Sequence, residues 1–178
     1  MSSNGEGLSA TLELSERRYR ALFESSRDAV MTLEPPTWAF TDGNPATLEM
    51  FGAKDAAEFA SYPPWKLSPE FQPDGRPSSE KASEMIETAM REGSHFFEWT
   101  HQRLSGETFP ATVLLSRVDL GGEPYLQATV RDVTGEKEIE RALKESDQRC
   151  RVLFDRATDC ILQLEVGPDE MPVIKDVN

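Results

Sequence analysis

The stretch FEWTHQRLSGETFPATVLLSRVDLGGEPYLQATVRDVT, from Phe97 to Thr134, contains three extended segments separated by two short turns. The turns are Ser105-Gly106 and Gly121-Gly122, and short turns that contain glycine connect neighbouring antiparallel strands. Apolar and polar residues alternate along each segment, as they do in a strand with one buried face. We therefore predict three consecutive antiparallel strands, at residues 94–104, 107–119 and 123–133.

The same alternation predicts which side chains lie on the buried face of this sheet, because residues two apart point to one side of a strand. The predicted buried set is Phe97, Trp99, His101, Ala111, Val113, Leu115, Leu126, Ala128 and Val130. Phe96 and Leu114 are apolar but fall on the opposite face. A flanking helix or a partner subunit would have to cover them there.

Upstream of these strands, FTDGNPATLEMFG, from Phe40 to Gly52, carries the signals of a helix start and a helix stop. Asn44 is a good N-cap residue, Pro45 suits the first helical position, and Gly52 is a typical stop. The other elements predicted nearby are strands at residues 28–34 and 38–41 and a short helix at residues 54–60.

Longer helices are predicted before, between and after the strands. The first begins at Leu8, after a loose polar tail. The second covers residues 79–91 and is capped by one of the two serines at its start, Ser78 or Ser79. The last runs from Gly135 to about Phe154, with Thr134 as its cap. This order of helices and strands predicts an α+β domain with an antiparallel sheet.

The bulk composition argues against several classes of function. The chain has 178 residues, 38% of them hydrophobic, which is enough to bury a core. Its net charge of −13 repels phosphate backbones, so nucleic-acid binding is not expected. Cys150 and Cys160 provide no disulfide framework, which suits a reducing compartment. The sequence shows no signal peptide and no membrane span, and we expect a cytoplasmic location.

One part of the sequence is repeated. RALFESSRDAVMTLE, from Arg20 to Glu34, shares six of its positions with RVLFDRATDCILQLE, from Arg151 to Glu165. The helices that precede both stretches carry an apolar seam with the three-and-four spacing of coiled coils. This helix seam comprises Leu12, Tyr19 and Leu22, and then Ile139, Leu143, Cys150 and Leu153. It indicates either paired helices in a homodimer or a helix that packs on its own domain.

Taken together, these motifs resemble the PAS domain family. The Asn-Pro-Ala at residues 44–46 is similar to the start of that family's first core helix, and Phe97–Thr134 resembles its last three strands. Arg131–Thr134, RDVT, resembles its closing Asp-Ile-Thr motif. The resemblance implies a five-stranded antiparallel sheet of order 2-1-5-4-3, with helices on one face and a flanking helix at each end.

The resemblance also divides the chain into four parts. They are an N-terminal tail and amphipathic helix (1–22), a PAS domain (23–134), a signalling helix (135–158) and the truncated start of a second PAS domain (159–178). The second copy of the repeated stretch would then begin that second domain.

The function that the resemblance implies is a non-catalytic sensory or regulatory module of a bacterial-type signal-transduction protein. Its C-terminal helix would relay a conformational change to an effector domain outside this chain, such as a histidine kinase or diguanylate cyclase. Asp132 and Thr134 would carry the relay through capping bonds between the last strand and the helix. The alternative is a ligand-free dimerisation or docking module that uses the helix seam with Phe96 and Leu114. No catalytic motif is present, so no enzyme is predicted.

A small-molecule ligand would lie between the sheet and the helices. The candidate pocket residues are Met50, Ile86, Met90, Phe97, Trp99, His101, Val113, Leu115, Leu126 and Ala128. A fully packed core would use the same residues, so both interpretations stay open.

The cofactor is not identified by the sequence. The resemblance implies that haem would be bound by a histidine of the long helix, and residues 79–91 have none, which disfavours haem. It implies that covalent flavin would need a cysteine after the second core helix, and residues 62–76 have none. A p-coumarate adduct would need a cysteine within the domain, and residues 1–149 have none, whereas non-covalent flavin stays open. His95 and His101 have no third ligand near them in the sequence, so no metal site is predicted.

Overall fold

The computed structural model describes the backbone of residues 3–156, 162–166 and 172–177, and the side chains of residues 11 and 13–152. The chain forms two compact units, residues 1–134 and 135–178. The helices are α1 (Ser3–Ser25), α2 (Pro45–Phe51), α3 (Ala56–Ala60), α4 (Ser78–Glu92) and α5 (Thr134–Arg156). The strands are β1 (Ala29–Glu34), β2 (Ala39–Gly43), β3 (Ser94–Gln102), β4 (Thr108–Val118), β5 (Tyr125–Asp132), β6 (Leu162–Val166) and β7 (Pro172–Val177).

The first unit contains a five-stranded sheet of order β2-β1-β5-β4-β3, in which every neighbouring pair is antiparallel. The predicted fold is therefore confirmed. In the register of the sheet, Val113 lies opposite Phe97 on one side and Val130 on the other, which places the predicted apolar face in one layer. Phe96 and Leu114 also lie opposite each other, on the other face.

The core lies between this apolar face and the helices. From the predicted set, Trp99, Ala111, Val113, Leu115, Leu126, Ala128 and Val130 are buried. Phe97 and His101 are half-buried. Residues of α2, α3 and α4 close the core from the other side, with Phe51, Phe59 and Ala89 fully buried. Burying one large apolar side chain contributes about 1.5–3 kcal/mol, so this layer is the main source of stability.

The prediction for the start of the first helix was wrong. We expected a loose tail up to residue 7, whereas α1 begins at Ser3. Extending an existing helix adds one hydrogen bond for each residue that is fixed, so weak helix formers are tolerated at its end.

The predicted cap of α4 was also wrong, because the hydroxyl group of Ser78 is used elsewhere. It donates to the carbonyl of Pro69 at 2.6 Å and accepts from Nε2 of Gln72 at 2.8 Å. Pro77 occupies the cap position without a side-chain hydrogen bond. A buried hydroxyl has to satisfy its surroundings first, and here it holds the preceding loop.

Asn44 forms a larger network than an ordinary helix cap. Its Oδ1 accepts from the backbone N–H of Thr47 at 2.9 Å, as predicted, and also from the Thr47 hydroxyl and the Val30 N–H. Its Nδ2 donates to the carbonyls of Phe23 and Asp28 at 3.1 and 3.0 Å. The Phe23 carbonyl lies in the last turn of α1, where carbonyls have no partner within the helix. Asn44 thus starts α2 and ends α1.

The second unit consists of α5 and a two-stranded antiparallel sheet formed by β6 and β7. The helix begins at Thr134 itself, one residue earlier than predicted, and ends at Arg156. Among the residues that the structure describes, no helix is both long and apolar enough to cross a lipid bilayer.

Candidate functional site

A cavity of about 70 Å³ lies between the sheet and α4. Its lining is almost entirely apolar, and polar atoms enter it only with Ser68, Trp99 and His101. The lining consists of Met31, Leu33, Phe40, Pro64, Ser68, Ala82, Met85, Ile86, Phe97, Trp99, His101, Val113, Leu115, Ala128 and Val130. In this shape the cavity is far smaller than a porphyrin or an isoalloxazine ring.

Most residues of the candidate pocket lie in this lining. They are Ile86, Phe97, Trp99, His101, Val113, Leu115 and Ala128. Met50, Met90 and Leu126, the other three candidates, are not among the residues that line this cavity. Met50 lies in the last turn of α2, and its carbonyl accepts a hydrogen bond from Arg103. The Met90 carbonyl accepts one from Arg117, near the end of α4. Leu126 is fully enclosed by core packing.

The candidate pocket did not include eight residues of the lining, which are Met31, Leu33, Phe40, Pro64, Ser68, Ala82, Met85 and Val130. Met31 and Leu33 follow the period of two along β1, so the alternation that identified the other strands could have found them. Pro64 and Ser68 belong to a short 3-10 turn at Pro64–Leu67 and the residue after it. No periodic pattern indicates which residues of such a loop face a cavity.

His101 is the most unusual group in the lining. Its Nδ1 lies 2.9 Å from the carbonyl oxygen of Leu67, which can only accept a hydrogen bond, so Nδ1 carries the proton. Burial lowers the pKa of His101 to about 4, against the smaller opposing effect of the Leu67 hydrogen bond. The ring is therefore neutral near pH 7, and its Nε2 is an acceptor. That Nε2 is buried and has no hydrogen-bond partner in the structure.

Ser68 and Trp99 form the other polar contact of the lining. The indole N–H of Trp99 donates to Oγ of Ser68 at 2.9 Å. The hydroxyl group of Ser68 can still donate its own hydrogen, since its oxygen acts here as the acceptor. The polar surface of the cavity is therefore small and uncharged.

The two residues predicted to carry a relay do lie together. Oδ1 of Asp132, at the end of β5, accepts from the backbone N–H of Thr134 at 2.9 Å and from its hydroxyl at 2.5 Å. Oδ2 accepts from Nη2 of Arg103 at 2.8 Å. One carboxylate thus binds both the start of α5 and the connection between β3 and β4.

Arg103 was not identified from the sequence, because nothing in the local pattern marks its long-range partners. Its guanidinium also donates to the Met50 carbonyl and lies 4.1 Å from the ring centre of Phe109. Partial burial raises the pKa of Asp132, but the hydrogen bonds from Thr134 and Arg103 together outweigh this and hold that pKa below its ordinary value.

The residues of the helix seam are exposed where their side chains are described. Tyr19 and Leu22 are 55% and 74% exposed, and Ile139 and Leu143 are 72% and 63% exposed. Cys150 is exposed as well. The side chains of Leu12 and Leu153 lie outside the described ones, and so does Cys160. On the outer sheet face, Phe96 and Leu114 are 63% and 38% exposed.

Within the described residues, no group of three or more His, Cys, Asp or Glu side chains is close enough to hold a metal ion. His95 lies against Met85, with its Nε2 3.1 Å from the sulfur, and its ring packs on Phe97. The two histidines therefore have separate surroundings.

A family model described as "PAS domain" matches residues 27–135. No curated protein matches the chain. Similar solved structures include a PAS domain from a two-component sensor histidine kinase, with 18% identity and a TM-score of 0.55 over 67% of this chain and 97% of that one.

Two further solved structures are similar to about the same degree. A PAS domain of a protein from Colwellia psychrerythraea has 15% identity and a TM-score of 0.56, over 67% of this chain and 97% of that one. A PAS domain of an HTR-like protein from Haloarcula marismortui has 24% identity and a TM-score of 0.54, over 71% and 98%. At these identities the likeness is one of fold.

Proposed function

This chain belongs to the PAS domain family, and from that membership we propose that it is a sensory or regulatory module of a signal-transduction protein. In this proposal a conformational change at the sheet passes through Asp132 to α5, and from there to an effector domain outside this chain. The observation that carries the proposal is the double role of the Asp132 carboxylate. It is the group through which the β3–β4 connection and the start of α5 share hydrogen bonds.

A row of packed rings supports a connection from the cavity to this carboxylate. The His101 ring, which lines the cavity, lies 5.8 Å from the ring of Phe109, centre to centre. The Arg103 guanidinium lies over the ring of Phe109, 4.1 Å from its centre. Close-packed interiors transmit displacements, so a shift of the His101 ring would move Phe109 and then Arg103. Arg103 in turn holds Asp132.

The expected strength of the Arg103–Asp132 ion pair suits a contact that opens and closes. The side chains of Arg103 and Asp132 are 25% and 27% exposed, so the pair is neither fully buried nor fully solvated. A hydrogen bond to a charged group contributes about 1.5–3 kcal/mol, and partial exposure reduces that figure. Two arrangements that differ by a few kcal/mol are what a population shift requires.

The second unit supports the proposal that another module of the same fold begins at about residue 159. The pairing of β1 with β2 has an irregularity between Thr32 and Leu33. The pairing of β6 with β7 has one between Gln163 and Leu164, at the equivalent positions of the repeated stretch. The pairs on either side of it follow the same register. In this proposal α5 connects two sensory modules.

Hydrogen exchange with an Asp132→Ala variant tests the relay. The variant removes the hydrogen bonds to Thr134 and to Arg103. We therefore expect exchange of the amides at residues 134–140 to rise about tenfold, and exchange at residues 29–130 to stay unchanged. Asp28→Ala is the matched control, since Asp28 pairs with Arg131, the neighbour of Asp132, at the same 2.8 Å. Exchange at 134–140 that stays as slow in Asp132→Ala as in Asp28→Ala would contradict the relay.

A ligand-free dimerisation or docking module is the second candidate function. It is favoured by the exposure of the helix seam and of the Phe96–Leu114 pair. Native mass spectrometry of the parent and of Ile139→Glu tests it, with Glu138→Gln as the control on the same helix. A dimer that only Ile139→Glu disrupts would favour this candidate, whereas a monomeric parent would contradict a homodimer.

A cytoplasmic location remains part of the proposal, on the basis of cysteine usage.

A further inference from the structure

We propose that Met85 and His95 form a binding site for a soft monovalent metal ion, copper(I) or its analogue silver(I). The ion would bridge the thioether sulfur of Met85 on α4 and Nε2 of His95 on β3. This inference goes beyond the proposed function and does not depend on it. The sequence pattern did not indicate the site, because its two ligands lie on different elements.

The two donor atoms face each other in the fold. Nε2 of His95 lies 3.1 Å from the sulfur of Met85. Phe97 packs against the imidazole, with the ring centres 5.3 Å apart and the planes 30° from parallel. This contact limits the rotations that would turn Nε2 away from the sulfur. Both ligands are half-buried, so an ion can reach the pair from solvent.

The chemistry of the donor atoms selects the class of ion. Thioether sulfur is a soft ligand that favours copper(I), and imidazole nitrogen also binds copper. Calcium and magnesium prefer oxygen ligands, and structural zinc takes four ligands. In the part of the chain that the structure describes, no group of three His, Cys, Asp or Glu residues is placed to form such a site. Copper(I) and silver(I) are satisfied by two donors in a linear arrangement, so a histidine and a methionine are sufficient for them.

Binding requires a small movement of the Met85 side chain. With metal bonds as long as those of zinc, a linear ion holds the nitrogen and the sulfur about 4.3 Å apart. The sulfur therefore has to move about 1 Å away from the imidazole. Methionine is unbranched and adapts easily, and Met85 borders the cavity, which leaves space for this movement.

The rival interpretation is a weak hydrogen bond between the same two atoms. In a neutral imidazole one nitrogen carries the proton, and Nε2–H could donate to the Met85 sulfur, which is a weak acceptor. The metal requires the other tautomer, with the proton on Nδ1 and the Nε2 lone pair directed at the ion. Because the hydrogen bond is weak, a soft ion that binds both atoms would displace it.

Silver(I) is the probe, because it shares the ligand preferences of copper(I) and does not change its oxidation state in air. We would titrate silver nitrate, in chloride-free buffer, into the full chain labelled with ¹⁵N-histidine and ¹³C-methyl methionine. Thiolates are soft ligands as well, so both cysteines are first replaced, in a Cys150→Ser, Cys160→Ser background. The expected result is a saturable shift of both the His95 Nε2 resonance and the Met85 methyl resonance.

Met85→Leu and Met90→Leu make a matched pair of variants. Both replace a methionine of α4 with leucine, which nearly conserves volume, so both should fold. Removing a residue that merely supports a metal ligand weakens binding about 10–100-fold, so the loss of a ligand in Met85→Leu should weaken silver binding at least about 100-fold. His95→Gln should have the same effect, whereas Met90→Leu should bind silver like the parent.

Equal silver affinities in Met85→Leu and Met90→Leu would overturn the proposal. A shift of the His95 resonance without one of the Met85 methyl group would also overturn it, since the imidazole would then bind silver alone. The absence of any saturable shift would do the same and leave the hydrogen bond as the contact between the two side chains. Exchange at residues 134–140 in Asp132→Ala is measured without silver, so each of these outcomes leaves the test of the relay unchanged.

Discussion

Two side chains attach the flanking helices to the sheet, and they do so in different ways. Asn44 is fully buried and neutral, and its amide holds the end of α1, the start of α2 and Val30 of β1. Asp132 is charged and partly exposed, and its carboxylate holds the start of α5 and the Arg103 guanidinium. The first attachment is made of buried amide hydrogen bonds, and the second is an ion pair with a cap.

This difference indicates which helix is suited to move. Opening the Asn44 network leaves several buried donors and acceptors without partners, and that cost keeps α1 in place. Opening the Asp132 contacts exposes groups that water can reach, at a smaller cost. We therefore expect a conformational change in the domain to be passed on through α5 and not through α1.

Asn44→Ala should have the largest effect. It removes five hydrogen bonds from a buried site, so we expect the free energy of unfolding to fall by about 3–5 kcal/mol and α1 to lose its protection from exchange. Thr47→Val is the control, because it keeps the shape and removes only the hydroxyl contacts. Chemical denaturation measures the free energy of unfolding of both variants. A decrease below about 1 kcal/mol in Asn44→Ala would show that the Asn44 hydrogen bonds do not hold the two helices as described.

Acid should act next, through His101 rather than through either attachment. The pKa of His101 is lowered to about 4 in the fold, whereas an unfolded histidine titrates near 6.5. The unfolded chain therefore binds the proton first, and stability falls as the pH drops from about 6.5 to about 4, by about 3 kcal/mol in all.

Denaturation of the parent and of His101→Phe at several pH values between 7 and 4 checks this. The variant should show a smaller slope over that window. Asn44 does not titrate, and Asp132, whose pKa is lowered in the fold, reduces stability only below about pH 5, where the unfolded carboxyl begins to bind protons, so the slope between about pH 6.5 and 5 contains neither attachment. An identical slope in both proteins would remove His101 as its cause.

Asp132→Asn should have a smaller effect that separates the two parts of its attachment. Asparagine keeps an oxygen for the Thr134 hydrogen bonds but loses the charge opposite Arg103, so we expect a loss of about 1 kcal/mol. The stability of the parent should also fall more with added salt than that of the variant. Asp28→Ala is the control, because its partner Arg131 is 63% exposed and such pairs contribute about 0–1 kcal/mol.

The features that depend on local pattern could be predicted from the sequence. The strands, their buried face and the capping of α2 by Asn44 follow from alternation and from residues within one helical turn. The hydrogen bond from Asn44 to Phe23 and the ion pair of Arg103 with Asp132 join residues that are far apart in the chain. No local period predicts such contacts.

The cavity shows the same limit. Its lining from β3, β4 and β5 was predictable from the period of two, whereas Ser68 and the partner of His101, Leu67, come from a loop. The unpartnered Nε2 of His101 depends on that loop, so it is visible only in three dimensions. Met50 and Met90 were placed by helix position alone, and small rotations of a helix decide which of its side chains reach a cavity.

A double-mutant cycle on Arg103 and Asp132 tests the central claim most directly. The single variants Arg103→Leu and Asp132→Asn and the double variant would be compared by amide exchange at residues 134–140. If the ion pair joins the β3–β4 loop to the start of α5, each single variant speeds amide exchange at residues 134–140. The double variant then adds little more, and the coupling free energy between the two substitutions is about 1 kcal/mol or above. Additive effects of the two substitutions would contradict the relay.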